Sequence, residues 1–162
     1  MVRHSCVDRS LRDDPHAAEW PLSLCPMSRE PIQRERVLVV DDDLALVDTL
    51  ADGLSDLGYE VVGTGSSLEA KELLEQHTFD ALLTDLRMPG LDGLGLLAVS
   101  RKLSRERPVI VMTAYSAVDA AVEAVRRGAC DYLTKPFKVR ELGLCLARAL
   151  AKRSPPHESS HR

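Results

Sequence analysis

The chain has 162 residues, of which 44% are hydrophobic and 28% are charged, as is ordinary for a globular protein of one domain with some extra length. Its formal net charge of −4 argues against a general attraction to nucleic acid or to anionic membranes. Charged residues interrupt the N-terminus, and no apolar run reaches the roughly 18 residues of a membrane span. We therefore expect a cytoplasmic protein.

The four cysteines show no spacing typical of a metal site or of a disulfide framework. Cys130 and Cys145 lie in apolar segments, where a free cysteine is usually a small core residue. Cys6 and Cys25 could pair in an oxidising compartment, but without a secretion signal we favour reduced thiols.

The two ends of the chain differ from its centre. Residues 1–35 lack helix or strand periodicity and contain four prolines, which predicts a disordered N-terminal extension. Translation from a second methionine, Met27, is an open alternative. Residues 153–162 are polar and contain two prolines, which predicts a flexible tail. The domain is therefore expected at residues 36–152.

Within that domain, apolar runs alternate with amphipathic segments. The predicted strands are 36–41, 59–64, 79–85, 108–114 and 130–134. The first helix carries an apolar stripe of Val47, Leu50, Leu54 and Leu57 and is closed by Gly58. Cap-like residues precede the next three helices, namely Ser66 with Glu69, Asp92, and Ser116 with Asp119.

The second helix is predicted to run to about His77, the fourth to cover residues 117–127 and the fifth residues 139–152. The fifth helix has an inward stripe of Leu142, Cys145, Leu146 and Ala149. Strands alternating with helices favour an α/β fold, a doubly wound, five-stranded parallel sheet covered on both faces.

In such open sheets, ligands bind at the carboxyl ends of the strands. The strands deliver to that edge Asp41, Asp42 and Asp43 from the first, Asp85 from the third, Thr113 from the fourth and Lys135 from the fifth. Neighbouring carboxylates repel one another unless a cation lies between them. Few oxygen ligands with room for water suit Mg²⁺.

Carboxylates, Mg²⁺, a lysine and a hydroxyl together are a recurring arrangement for phosphoryl transfer. Lys135 would bind phosphoryl oxygens and Thr113 would donate a hydrogen bond. Asp85 is a candidate nucleophile, because carboxylates form aspartyl phosphates.

Four segments carry a family resemblance: "VLVVDDD", "LLTDLRMPGLDG", "VIVMTAY" and "DYLTKPF". In this order and with these separations they resemble the receiver domain of two-component response regulators. The sequences of these segments most resemble those of receivers that precede sigma-54-dependent activator domains. The resemblance covers roughly residues 36–152 and implies a flavodoxin-like fold with strand order 2-1-3-4-5.

The resemblance also implies roles for individual residues. Asp85 falls on the phosphoacceptor position and also binds Mg²⁺. Asp42 falls on the direct metal ligand, Asp41 on its neighbour that acts through water, and the backbone carbonyl of Arg87 completes the protein's share of the metal shell. Asp43 is left out of that shell, because it is better placed to cap the first helix.

Lys135 falls on the phosphoryl-binding lysine, and its bond to Pro136 is cis in that family. Thr113 falls on the switch hydroxyl and Tyr132 on the switch aromatic. Phosphorylation would change the face made by the fourth helix, the fifth strand and the fifth helix.

The expected function is thus phosphorelay signalling, with a sensor histidine kinase or a phosphotransfer protein as phosphoryl donor. The output would be contact with a downstream protein, without direct binding to nucleic acid or membrane. The protein is not expected to be an enzyme, because its chemistry would serve to change a surface and not to turn over a substrate. A phosphorylation-dependent homodimer through the same face stays open. So does the choice between a stand-alone receiver and a piece of a longer regulator.

Two other functions fit the sequence less well. A Mg²⁺-dependent phosphohydrolase would use Asp41 as nucleophile in a DxDx[TV] pattern, but Ala45 stands where Thr or Val is required. A receiver-like binding module that is never phosphorylated is disfavoured by the complete set of site residues.

Overall fold

The computed structural model describes residues 33–153, and the predicted alternation of strands and helices is present there. The strands are β1 (Arg36–Val40), β2 (Glu60–Thr64), β3 (Ala81–Asp85), β4 (Val109–Ala114) and β5 (Asp131–Lys135). The helices are α1 (Leu44–Asp56), α2 (Ser67–Gln76), α3 (Gly93–Leu103), α4 (Val118–Arg126) and α5 (Val139–Ala151). The predicted extension, its alternative start at Met27 and the predicted tail lie almost wholly outside the described residues and stay predictions.

The five strands form one parallel sheet in the order β2-β1-β3-β4-β5, which confirms the predicted fold class. β1 shows how the sequence produces this layering. Val37 and Val39 face one side of the sheet, Leu38 and Val40 face the other, and all four are fully buried. A strand that is apolar at every position can be stable only where both faces of the sheet are covered.

The helices divide between the two faces of the sheet. α2, α3 and α4 pack on one face, where Leu74, Leu96 and Ala121 join its core. α1 and α5 pack on the other, and the predicted inward stripe of α5 is buried there. None of the helices within residues 33–153 is long and apolar enough to cross a membrane.

Three local predictions were wrong. Leu57 is 54% exposed, because α1 ends at Asp56 and Leu57 lies in its C-terminal cap, away from the buried stripe. Cys130 is exposed, because it precedes β5 and does not share the burial of Cys145. Ser116 does not cap α4, because a 3-10 turn at Tyr115–Ala117 intervenes and α4 begins after Ala117 without a side-chain cap.

We predict that Leu146→Ala lowers the free energy of unfolding by about 2–5 kcal/mol, because its fully buried side chain would leave a cavity between α5 and the sheet. Leu144→Ala on the same helix is the matched control, since Leu144 is 68% exposed. That control should change stability by no more than about 0.5 kcal/mol. Urea unfolding of both variants measures the difference, and equal losses would contradict the packing described here.

Candidate functional site

The sequence-predicted site residues lie at the carboxyl edge of the sheet. Four of the five strands, β1, β3, β4 and β5, are neighbours in that order, so the residues that end or follow them share one edge. β2 is the outermost strand beside β1 and contributes none of the predicted residues. Topology therefore brings together groups that are up to 94 positions apart in the chain.

An acidic cluster is the centre of this edge. Carboxylate oxygens of Asp41, Asp42 and Asp85 lie within 4.8 Å of one another. Asp41 is fully buried, Asp85 is 9% exposed and Asp42 is open to solvent. Asp43 lies outside the cluster: its carboxylate accepts a hydrogen bond from the backbone N–H of Leu46 and caps α1, as predicted.

Lys135 supplies the positive charge within this cluster. Its Nζ lies 2.5 Å from Oδ2 of Asp41 and 3.7 Å from Oδ2 of Asp85. The Lys135–Pro136 peptide bond is cis, as the resemblance implied. Three carboxylates and one ammonium leave a formal charge of −2, which is the charge that one divalent cation would balance.

Burial perturbs the pKa of Asp85, the phosphoacceptor candidate. The pKa of Asp85 is raised above its ordinary value, chiefly by burial. Lys135 and the backbone N–H groups of Leu86 and Arg87 lower this pKa, and the neighbouring Asp41 raises it. The carboxylate is oriented by the N–H of Leu86, which donates to Oδ1 at 2.8 Å. Ionisation of Asp85 is therefore less favourable than that of a solvent-exposed aspartate.

The donor set fits Mg²⁺. All the available side-chain ligands are carboxylate oxygens, which this hard cation prefers. Because Asp42 is exposed, one side of the cluster is open to water, and Mg²⁺ usually retains several waters. Asp41 already accepts two hydrogen bonds, from Lys135 and from the N–H of Asp43 at 2.9 Å, which is compatible with the indirect role predicted for it.

The loop between β3 and α3, residues 86–92, lies next to the site. Gly93 begins α3, and its N–H donates to the carbonyl of Leu86 at 3.0 Å, which closes the base of the loop. A Cβ at Gly93 would overlap the carbonyl oxygen of Asp85. No local sequence pattern reveals such a close approach. Arg87, whose carbonyl is the predicted metal ligand, is exposed on this loop.

The predicted switch residues lie on the next two strands. Thr113 is 1% exposed, and its hydroxyl donates to the carbonyls of Ala114 at 3.3 Å and of Ala117 at 3.5 Å. The hydroxyl therefore bonds to the connection between β4 and α4 and makes no hydrogen bond to Asp85. Tyr132 is half-buried and packs against the core cluster that includes α4.

A doubly wound parallel sheet with an acidic cluster and a lysine at its carboxyl edge defines a flavodoxin-like domain. The family described as "Response regulator receiver domain" matches residues 37–147. The chain belongs to the response regulator receiver domain family of two-component signalling.

Curated relatives and solved structures agree with this assignment. The response regulator protein FleR of Pseudomonas aeruginosa is 44% identical over 123 residues, which cover 76% of this chain and 26% of FleR. The DNA-binding transcriptional regulator NtrC of Escherichia coli is 42% identical over 120 residues, 74% of this chain and 26% of NtrC. The chain thus spans about a quarter of the length of these relatives.

Among solved structures, the receiver domain of NtrX from Brucella abortus superposes with a TM-score of 0.68 at 36% identity, covering 72% of this chain and 98% of that one. A CheY-like receiver domain protein from Methanospirillum hungatei gives a TM-score of 0.70 at 30% identity, covering 74% and 96%. The family consists of signalling domains and not of enzymes; its members generally bind Mg²⁺ and interact with histidine kinases and downstream effectors.

We predict that Asp85→Asn raises the thermal stability of the Mg²⁺-free protein at pH 7. The folded pKa of Asp85 is raised, so its stabilising contribution is present below the unfolded pKa of about 3.9 and is lost as pH rises through the folded value. Thermal unfolding from about pH 4 upward should show the wild type losing stability relative to the variant.

Asp43→Asn is the matched control, since Asp43 is exposed and Asn is an equally good N-cap. It should show no gain in stability. A wild type more stable than Asp85→Asn at pH 7 without Mg²⁺ would contradict the raised pKa.

Proposed function

We propose that this receiver domain accepts a phosphoryl group on Asp85, with Mg²⁺ required, and thereby switches the surface formed by α4, β5 and α5. The observation that carries the proposal is the group of three carboxylates, Asp41, Asp42 and Asp85, with Lys135 in contact with two of them. In open α/β sheets ligands bind at this edge, and a cluster of charged groups there is a candidate functional site.

In the proposed transfer, a carboxylate oxygen of Asp85 forms a bond to phosphorus while the bond from phosphorus to the donor's histidine nitrogen breaks. The electron pair of that bond leaves with the imidazole. Asp85 is suited to the attack because its other oxygen is held by the N–H of Leu86. Mg²⁺, when bound, would neutralise phosphoryl charge and align the reacting oxygens.

Other side chains hold the phosphoryl group. Lys135 already lies 3.7 Å from Asp85, so its ammonium is within reach of a phosphoryl oxygen on that residue. Asp42, Asp85 and the carbonyl of Arg87 are the proposed direct ligands of Mg²⁺, and Asp41 acts through water. Asp41 also orients Lys135, because the two side chains are in hydrogen-bond contact.

The switch follows from the position of Thr113. Its hydroxyl bonds to the carbonyls of Ala114, which precedes the 3-10 turn that leads into α4, and of Ala117, which ends that turn. A phosphoryl group on Asp85 is a stronger acceptor than either carbonyl. If Thr113 turns to donate to it, both bonds to the turn are lost and the start of α4 is released. Tyr132 packs against the core cluster that includes α4, so it would move inward with this change.

The proposed partners follow from this surface. A sensor histidine kinase or a phosphotransfer protein donates the phosphoryl group in the cytoplasm. A downstream protein, or a second receiver in a phosphorylation-dependent homodimer, reads the changed α4–β5–α5 face. Two valines of α4, Val122 and Val125, are 39% and 42% exposed and provide apolar contact area there. Direct binding to nucleic acid or membrane is not part of the proposal.

The geometry disfavours the phosphohydrolase alternative. A nucleophilic Asp41 would have to reach substrate, yet this side chain is fully buried and accepts hydrogen bonds from Lys135 and Asp43. The unphosphorylated binding module is distinguished from the proposal only by experiment.

We predict that acetyl phosphate with Mg²⁺ produces a shifted band on a phosphate-affinity gel, and that Asp85→Asn reduces this band to background. The modification should be alkali-labile, as expected of an acyl phosphate, and should disappear when Mg²⁺ is chelated. Asp43→Asn is the control, because it removes an acidic charge next to the cluster without removing a proposed ligand.

The control should be phosphorylated like the wild type. A wild type that remains folded but is modified neither by acetyl phosphate nor by a histidine kinase would support the binding module and overturn the proposal.

We also predict that Lys135→Ala binds Mg²⁺ at least as tightly as the wild type, because it removes a cation that competes for Asp41 and Asp85. The same variant should lose the switch, measured as the phosphorylation-dependent NMR shifts of α4 and β5. Lys138→Ala, an exposed lysine at the start of α5, is the control. Loss of Mg²⁺ binding in Lys135→Ala would count against the proposed role of Lys135.

A further inference from the structure

A buried serine on α2 holds the tip of the loop that follows Asp85. Ser67, the first residue of α2, is 2% exposed. Its hydroxyl donates to the carbonyl of Pro89 at 3.1 Å and accepts from the N–H of Leu91 at 3.2 Å. The two bonds enclose Gly90, whose φ of 84° is in the left-handed region. One side chain thus satisfies both backbone groups that flank the turn.

The rest of the loop is fixed at its ends. At its base, the N–H of Gly93 donates to the carbonyl of Leu86, and Asp92 caps α3 by accepting from the N–H of Gly95 at 2.8 Å. Met88 is anchored in the core. Arg87 is exposed, and its backbone N–H lies near the Asp85 carboxylate, whose pKa it lowers. At the tip, Leu91 packs against the core, and Ser67 contributes hydrogen bonds from outside the loop.

We propose that Ser67 is a positioning residue for the cation site: its two hydrogen bonds hold the loop so that the carbonyl of Arg87 faces the acidic cluster. This inference rests on the proposed function, which assigns that carbonyl to the metal shell. Ser67 acts through the backbone of the loop and does not itself contact the metal. Partners of this kind, outside the ligand shell, commonly have large effects on metal affinity.

The adjacent serine offers a matched control. Ser66 is the N-cap of α2 and accepts from the N–H of Glu69 at 3.3 Å, with no hydrogen bond to the loop. Ser66→Ala therefore weakens the start of the same helix but leaves the Ser67 hydroxyl in place. Ser67→Ala removes the two loop contacts, and Ser67→Thr retains a hydroxyl at the same position.

The first measurement is amide hydrogen exchange without metal. Ser67→Ala should speed exchange at Leu91 by about tenfold or more, because the N–H loses its acceptor in the native state. Ser66→Ala should speed exchange at Glu69 and leave Leu91 close to wild type. Ser67→Thr should restore slow exchange at Leu91.

The second measurement is an NMR titration with Mg²⁺ alone, followed by phosphorylation with acetyl phosphate. Ser67→Ala should bind Mg²⁺ about tenfold more weakly. Its phosphorylation rate at saturating Mg²⁺ should equal that of the wild type, because the reacting groups on Asp85 and Lys135 are unchanged. A merely structural defect would instead lower the rate at every Mg²⁺ concentration.

The outcomes separate this inference from the proposed function. If the wild type binds Mg²⁺ and Ser67→Ala binds it equally well, or if Ser66→Ala weakens binding as much, the role of Ser67 is overturned and the proposed function stands. If the wild type itself does not bind Mg²⁺, both are overturned. Unchanged exchange at Leu91 in Ser67→Ala would show that the two hydrogen bonds do not hold the loop.

Discussion

Repulsion between carboxylates at one edge of a parallel sheet is the constraint on which the site depends. Asp41 and Asp85 end or follow neighbouring strands, so the topology that buries the sheet also forces them together. Lys135 comes from β5, with β3 and β4 between it and β1, and reaches Asp41 at 2.5 Å. Burial is the main cause of the raised pKa of Asp85, and the fit to a divalent cation follows from the negative charge that Lys135 leaves unbalanced.

The same edge is connected to the helices by short polar contacts. Thr113 links the site to the turn before α4, and Ser67 links it to the start of α2. Each is a nearly fully buried hydroxyl that bonds to backbone groups of a connecting segment. In the proposed function the two contacts respond differently to phosphorylation. The Thr113 contact breaks when the domain is phosphorylated, whereas the Ser67 contact keeps the metal-binding loop unchanged.

The fold and the members of the site could be predicted because the signals are local and strong. Strands that are apolar along most of their length, such as β1, indicate a covered parallel sheet, and Asp85 and Lys135 are recognised as charged residues at the ends of strands. The predictions that were wrong concern the exact ends of helices and strands, which the hydrophobic pattern does not define. Leu57 continues the stripe of α1 but lies past its last turn, Cys130 precedes β5 outside the core, and the turn before α4 displaces the expected cap from Ser116.

Contacts between segments that are distant in the chain could not be predicted from the sequence either. Ser67 bonds to groups 22 and 24 positions away, and nothing in its helix-start setting distinguishes it from Ser66. Gly93 is required by the nearness of the Asp85 carbonyl, which only the packed loop reveals. The residue type at such a position is determined by contacts with segments that are distant in the sequence. Periodicity and capping rules therefore do not identify these positions.

The contact between Lys135 and Asp41 also bears on how the domain is assembled in the cell. A small zinc domain must often acquire its metal before it can fold. Here the buried acid has a counter-ion encoded in the chain itself, so the polypeptide can reach its native state before any magnesium arrives. Folding and metal binding would then be separate events, and the ion would be needed for the proposed phosphoryl transfer but not for assembly of the sheet.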